Sequence, residues 1–259
     1  MRIKSILALA LIALAMTNCS PLNVTSFNAT FNGVEYKYEV IVPLMNYVRV
    51  SAVTPADQLS GEVVIPSTVN YDGTNYVVSQ IGKSAFEGYS GITKMTIPST
   101  VSVIEEKAFR NCTALGEINT PQPLSTIGDY AFEGCSSLES YSLQASISEL
   151  GEGCFRACTS LTSATFPTSL NNIAAKAFEG CTALEEIHID HNMLTIGSKA
   201  FFGCAAVTDF ICLTPTPPTA SSDTFEGMDA NLPVTVPMAN VEQYRMATGW
   251  NYFTNYQGQ

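Results

Sequence analysis

Basic side chains are scarce in this sequence: 12 Lys and Arg stand against 23 Asp and Glu, a formal charge of −11. A nucleic-acid binder neutralises phosphates with clustered Lys and Arg, so that class is excluded. Histidine is scarcer still, with two residues in 259. A Ser or Cys nucleophile therefore lacks an evident base. Charged residues are only 14% of the chain, against about 25% in an average soluble domain. The hydrophobic fraction of 46% nonetheless exceeds what a disordered chain carries. Beyond the N-terminus no apolar run reaches the roughly 20 residues of a membrane-spanning helix. Also missing are a Gly-x-Ser-x-Gly elbow, a phosphate loop, a dinucleotide fingerprint and any Cys-x-x-Cys pair. With no catalytic constellation to assemble, the chain reads as a non-enzyme without a cofactor.

What is present begins with an address. Met1-Arg2-Ile3-Lys4 is positive and Ser5 to Met16 is almost wholly apolar, the layout of a secretory signal peptide over 1–18. Met16-Thr17-Asn18-Cys19 resembles the lipobox of bacterial lipoproteins, which implies lipid attachment at Cys19 and anchoring at the outer membrane or cell surface. Cleavage after Ala13-Leu14-Ala15, giving plain secretion, is the competing reading. Removing Arg2 and Lys4 leaves a mature charge of 10 − 23 = −13.

The body of the chain repeats every 23 residues: Phe stands at 86, 109, 132, 155, 178 and 201. Five residues before each Phe stands Ile81, Ile104, Ile127, Leu150, Ile173 or Ile196. Three after it stand Tyr89, Cys112, Cys135, Cys158, Cys181 and Cys204. A fixed period of this length with apolar columns in register predicts a leucine-rich repeat solenoid. Each coil should carry one short strand and one turn of helix at the Ala-Phe segment, with Gly88, Gly134, Gly180 and Gly203 closing that turn in left-handed conformation. Asn111 tolerates this conformation. Ala157 does not, so the fourth coil should turn differently or carry slight strain.

A solenoid needs capped ends. Asn32-Gly33 and Asp72-Gly73 read as β-turns of an N-terminal β cap. At the other end, Asn240 to Ala247 reads as a short helix with Asn240 as its cap, Tyr244 on its buried face and Trp250 as a plug. The expected organisation is a signal peptide at 1–18, a linker and β cap at 19–60, the solenoid at 61–229 and a C-terminal cap at 230–259.

Ile127-Gly-Asp-Tyr-Ala-Phe-Glu-Gly-Cys-Ser-Ser-Leu138 resembles the BspA-like, or Treponema pallidum type, bacterial leucine-rich repeats. The terminal Val236-Pro237, Tyr244, Gly249-Trp250 and Phe253 look like the C-terminal cap of Bacteroides members. The resemblance implies a surface or secreted protein. It also implies adhesive contacts, as in members that bind host matrix proteins such as fibronectin and fibrinogen, and it supplies no catalytic residues to carry over.

The chain has eight Cys, an even count compatible with disulfides in an exported protein. Five of them share one column, however, which predicts parallel, buried and reduced side chains. His188 and Asp190 share a strand face, but without further ligands beside His191 no metal site follows. One outward pattern is in register. Eight after each Phe come Lys94, Glu117, Ser140, Ser163, Glu186 and Asp209, and ten after come Asn119, Ser142, Thr165 and His188 among others. These residues are the candidate binding ladder, for a protein or, alternatively, for a glycan taken by an accessory protein of nutrient uptake. Membrane contact is expected only through the lipid anchor.

Overall fold

A computed structural model describes residues 25–119, 122–189 and 193–259. The expected leader, Cys19, Asp190 and His191 lie outside the described residues.

The chain opens with strands β1 (Ser26–Phe31), β2 (Val34–Val42), β3 (Tyr47–Ala52), β4 (Gly61–Val64), β5 (Thr68–Tyr71) and β6 (Thr74–Ile81). Two of its hairpins turn where the sequence places Asn-Gly and Asp-Gly. Asn32 and Gly33 have φ of 49° and 80°, and Asp72 and Gly73 have 48° and 75°. Positive φ at both central positions twists the turn with its strands, which suits Asn, Asp and Gly. Antiparallel pairing of β1, β2 and β3 then gives way to parallel pairing of β3 with β6, and the solenoid starts from there.

Each following coil contributes to two parallel ladders. The first passes through β8 (Val103–Ile104), β10 (Thr126–Ile127) and β11 (Glu149–Leu150), and resumes as β13 (Asn172–Ile173) with β15 (Thr195–Ile196). The second passes through β7 (Ile92–Thr96) and β9 (Glu117–Ile118), which extend β4, and through β12 (Ser163–Thr165), β14 (Glu186–Ile189), β16 (Asp209–Cys212), β17 (Pro233–Val236) and β18 (Asn255–Gly258). The sequence pointed to one strand per coil. The extra one arises at the Ile column, where a two-residue extended stretch turns its Ile or Leu inward.

The Ala-Phe segment is a run of tight turns rather than an α-helical one, with Ala85, Glu87 and Tyr89 each donating to the carbonyl three residues back. Its alternate N–H groups point along the solenoid axis. Ser84, Phe86 and Gly88 donate to Glu106, Ala108 and Arg110 of the next coil, and the same trio recurs from Lys107, Tyr130, Gly153 and Lys176 onward. Left-handed residues two before and two after each Phe aim these groups: φ is 52° at Ser84 and 79° at Gly88, 56° at Tyr130 and 74° at Gly134. The expected left-handed Gly column is therefore present, and its purpose is coil-to-coil hydrogen bonding. Ala157 keeps the same geometry at φ 56°, so the fourth coil turns like the others and carries the strain.

Inside, the six Phe rings are fully buried and stack at 5.3–5.5 Å between centroids, with planes 6–12° apart. Phe225, which follows after 24 residues, extends the stack at 6.2 Å. At the far end Tyr244 and Trp250 are fully buried, and Trp250 donates to the Pro218 carbonyl at 2.8 Å. The short helix spans Val241–Met246. Asn240 does not cap it through a backbone bond; its amide reaches the Gln243 side chain instead, at 3.3 Å. Truncating the middle of the stack, Phe132→Ala, should lower stability by about 3–5 kcal/mol through lost burial and a residual cavity. Urea unfolding of the two proteins measures this.

Candidate functional site

The strand face carrying β7, β9, β12, β14 and β16 is the surface on which the outward columns meet. Parallel pairing sets Glu62, Lys94 and Glu117 side by side, and likewise Ser163, Glu186 and Asp209. Thr165, His188 and Ile211 form the neighbouring row. All are exposed or half-buried, as alternation along a strand requires. Two pairs close within the ladder: Lys94 Nζ lies 2.8 Å from Glu117 Oε1, and His188 Nε2 lies 2.8 Å from Asp209 Oδ2. Glu186 takes part in no ion pair among the described residues.

Asn119 has a different task from the one the column suggested. Its amide donates to the Ile97 carbonyl at 2.9 Å and accepts from the Ile97 N–H at 2.6 Å. Two backbone groups at the end of β7 thus depend on this side chain, which fastens one coil to the next.

Ser140 and Ser142 fall where the ladder is broken, for residues 139–144 form no strand. The inward residue between them is Tyr141. Its column reads Met95, Ile118, Tyr141, Ala164, Ile187 and Phe210. Tyr141 sets its ring 5.2 Å from Phe132 and 4.9 Å from Phe155. Its buried Oη finds no hydrogen-bond partner, and burial raises its pKa far above the phenol range. A hollow of about 310 Å³ opens on the face, walled by the short hydroxyl side chains of Ser140, Ser142, Ser163 and Thr165 above Tyr141 and Phe166. Apart from the Tyr141 phenol, no ionisable acid or base lines it.

The cysteine column is buried and unbridged. Each thiol donates to the carbonyl of the Phe one coil earlier: Cys112 to Phe86 at 3.0 Å, Cys135 to Phe109 at 3.2 Å, Cys158 to Phe132 at 3.2 Å, Cys181 to Phe155 at 3.1 Å and Cys204 to Phe178 at 3.2 Å. Burial pushes the Cys112 and Cys181 thiols up to about 12. Thiolate chemistry is thereby suppressed. Among the described residues no three ligating side chains gather around a possible metal position.

Sequence reasoning missed a second ladder. One residue after the first five Phe of the column stand Glu87, Arg110, Glu133, Arg156 and Glu179. Arg110 reaches Glu87 at 3.2 Å and Glu133 at 2.7 Å, and Arg156 reaches Glu133 at 3.0 Å and Glu179 at 2.8 Å. These half-buried pairs neutralise one another, each contributing about 1 kcal/mol or less. The alternation of sign at the 23-residue period was the available signal. The two ladders thus differ in kind, since this one spends its charges on itself whereas the strand face keeps Glu186 available.

The architecture defines a solenoid scaffold whose interior is filled by its own columns and whose strand face is rigid and broad. Residues 79–208, half of the chain, match the BspA type leucine rich repeat region in six copies, and the chain belongs to that family. A Treponema pallidum leucine-rich repeat protein of known structure is 27% identical; the likeness covers 66% of this chain and 87% of that one, with a TM-score of 0.52. A leucine-rich repeat protein of Bacteroides ovatus shares the fold at 20% identity, over 90% of this chain and 77% of that one, with a TM-score of 0.50. The pneumococcal vaccine antigen PcpA shares it at 22% identity and a TM-score of 0.55 over 76% of this chain, which spans about half, 51%, of that protein. No curated protein matches the chain.

Two outcomes test this geometry. Alkylation followed by mass spectrometry should leave Cys112, Cys135, Cys158, Cys181 and Cys204 unmodified in the native protein and label them after denaturation. Native disulfides or ready native labelling would contradict the buried column. Tyr141→Phe removes a buried hydroxyl without a partner and should raise stability by about 1 kcal/mol in denaturant titration; a loss would mean that the hydroxyl is bonded.

Proposed function

We propose that this protein is a non-enzymatic cell-surface binding protein that holds a protein partner along its strand face, in protein–protein or adhesive contacts. The observation that carries this reading is the in-register ladder. It presents Glu117 on one short sheet, and Ser163, Thr165, Glu186, His188 and Asp209 at fixed spacing on a second, and a surface held by parallel pairing lowers the ordering cost of association. Membership of the BspA type family supports a binding scaffold. The acidic members, on a chain of net charge −11, favour a basic or polar partner and accelerate encounter at low salt.

The reading includes export and attachment through a lipidated Cys19, at the outer membrane or cell surface. It also takes the chain as leader, β cap, solenoid and C-terminal cap, divided at 18, 60 and 229.

A glycan ligand is the second reading, and the uncharged hydroxyl-walled hollow around Tyr141 favours it. Such walls suit a neutral polyhydroxylated group better than a charged peptide. An immobilised mature chain screened against matrix proteins and glycans separates the two.

In the protein reading, Glu117→Lys combined with Glu186→Lys should weaken capture at low salt. Stability should change by about 0.5 kcal/mol or less, because both sites are exposed. Unchanged affinity of this variant would remove the ladder as the site.

A further inference from the structure

The largest apolar exposure on the β cap is at the hairpin joining β2 and β3. Leu44 is 74% exposed and Met45 60%, in a single 3-10 turn spanning Pro43–Met45. Val42 and Tyr47, paired at the base of this tip, are also exposed. From Val40 to Val48 the sequence holds no ionisable acid or base apart from the Tyr47 phenol. The nearest charges, Lys37, Glu39 and Arg49, are further down the strands and pair with one another, Lys37 to Glu39 at 2.6 Å and Arg49 to Glu39 at 3.3 Å. An acidic protein has thus kept this hairpin tip itself free of charge and apolar.

The position of the chain start gives this end its meaning. β1 runs antiparallel to β2 with Ser26 opposite Glu39, and the Thr25 carbonyl accepts from the Val40 N–H at 2.9 Å. The first described residue is therefore beside the apolar tip. Six residue steps lead from Cys19 to Thr25, at most about 20 Å of chain. A lipid on Cys19 would keep Thr25, and with it this end of the β cap, near the bilayer surface. At the same end, Tyr71 of the β5–β6 hairpin stacks on Phe27 at 4.3 Å, and Asp72 beside it limits how deeply this end can sink.

We propose that the Val42–Tyr47 hairpin tip is a second, monotopic membrane contact, in which Leu44 and Met45 enter the headgroup–acyl boundary while Tyr47 remains at headgroup level. The assignment rests on anchoring at Cys19 and extends it. Aromatic rings favour that boundary, and shallow apolar insertions of about 5–10 Å are typical of interfacial elements. A lipid on a free tether leaves the solenoid free to rotate, whereas two contacts fix its attitude. The bilayer is favoured over a protein occupant by the adjacency of the chain start and by the lack of charge at the tip.

The test uses the full chain, expressed with its own leader and reconstituted into phosphatidylethanolamine vesicles, carrying Leu44→Trp as a depth probe. The natural indole of Trp250 is fully buried and supplies a constant background. Emission from the indole at position 44 should shift to the blue on reconstitution, be quenched by lipids brominated near the headgroup, and be shielded from aqueous iodide. Iodide quenching equal to that in solution, while the protein stays in the membrane fraction, overturns the proposal. Shielding without vesicles that grows with protein concentration also overturns it, in favour of a second copy as occupant.

The anchor is tested separately. Cys19→Ala should release the protein from the membrane fraction, and a wild-type chain found wholly in the soluble fraction refutes the anchor alone. The tip is then read on the Cys19→Ala chain with added vesicles. Leu44→Ser with Met45→Ser should lower its partitioning at least about tenfold, with an unchanged melting curve. Equal partitioning of the two proteins refutes the tip.

Discussion

The structure depends on a set of hydrogen bonds that cross from coil to coil at the Phe column. In each of the first five coils three N–H groups point along the solenoid axis, and a left-handed residue at each end of the turn aims them. The left-handed positions then fall two before and two after each Phe, whatever side chain is there. Lys107, Lys176 and Lys199, with φ of 56–58°, accept a conformation that costs a non-glycine residue about 1 kcal/mol or more. The bonds fix the rise between coils, and the Phe rings stack at the spacing this rise allows. The Cys column completes the arrangement by supplying an S–H to the Phe carbonyl of the preceding coil. A small, weakly polar, buried donor fits that position, and these cysteines stay unpaired.

With the rise fixed, side chains one period apart become neighbours, and the chemistry of the surface follows column by column. Where a column alternates Glu and Arg it neutralises itself, as on the turn face. Where it carries Ser, Thr and single acids, as on the strand face, it leaves groups for a partner. Tyr141, wedged between two Phe rings, lies where the strand is interrupted and a hydroxyl-walled hollow opens.

Much of this was legible in the residues. The Phe, Ile and Cys columns identify the solenoid because burial repeats with the period, and Asn-Gly and Asp-Gly mark two cap hairpins because few other pairs take positive φ twice. The burial of Trp250 and Tyr244 followed from the need to close the stack. Other features were not legible, for physical reasons. The left-handed column before Phe holds Ser84, Tyr130, Gly153 and three Lys, so no residue preference advertises a geometry that hydrogen bonding alone imposes. The structural task of Asn119 depends on a backbone one residue beyond a strand in the previous coil. The interruption of the strand at Ser140 and Ser142 falls where the columns keep their 23-residue spacing, so periodicity does not signal it. The turn-face ion pairs were present in the sequence as alternating charge, one column beyond those compared.

The central claim is that the 23-residue rise, through its axial hydrogen bonds and ring stack, determines the fold. Removing whole coils tests it most directly. Deleting residues 156–178 takes out one period and joins Phe155 to Glu179, so every column stays in register. Deleting 156–175 removes fewer residues but shifts all later columns by three. Equilibrium unfolding in urea should show one cooperative transition for the first deletion, with a smaller slope because less surface is exposed. The second should show loss of the cooperative transition or a collapse in midpoint. Equal stability of the two shortened chains would contradict the account.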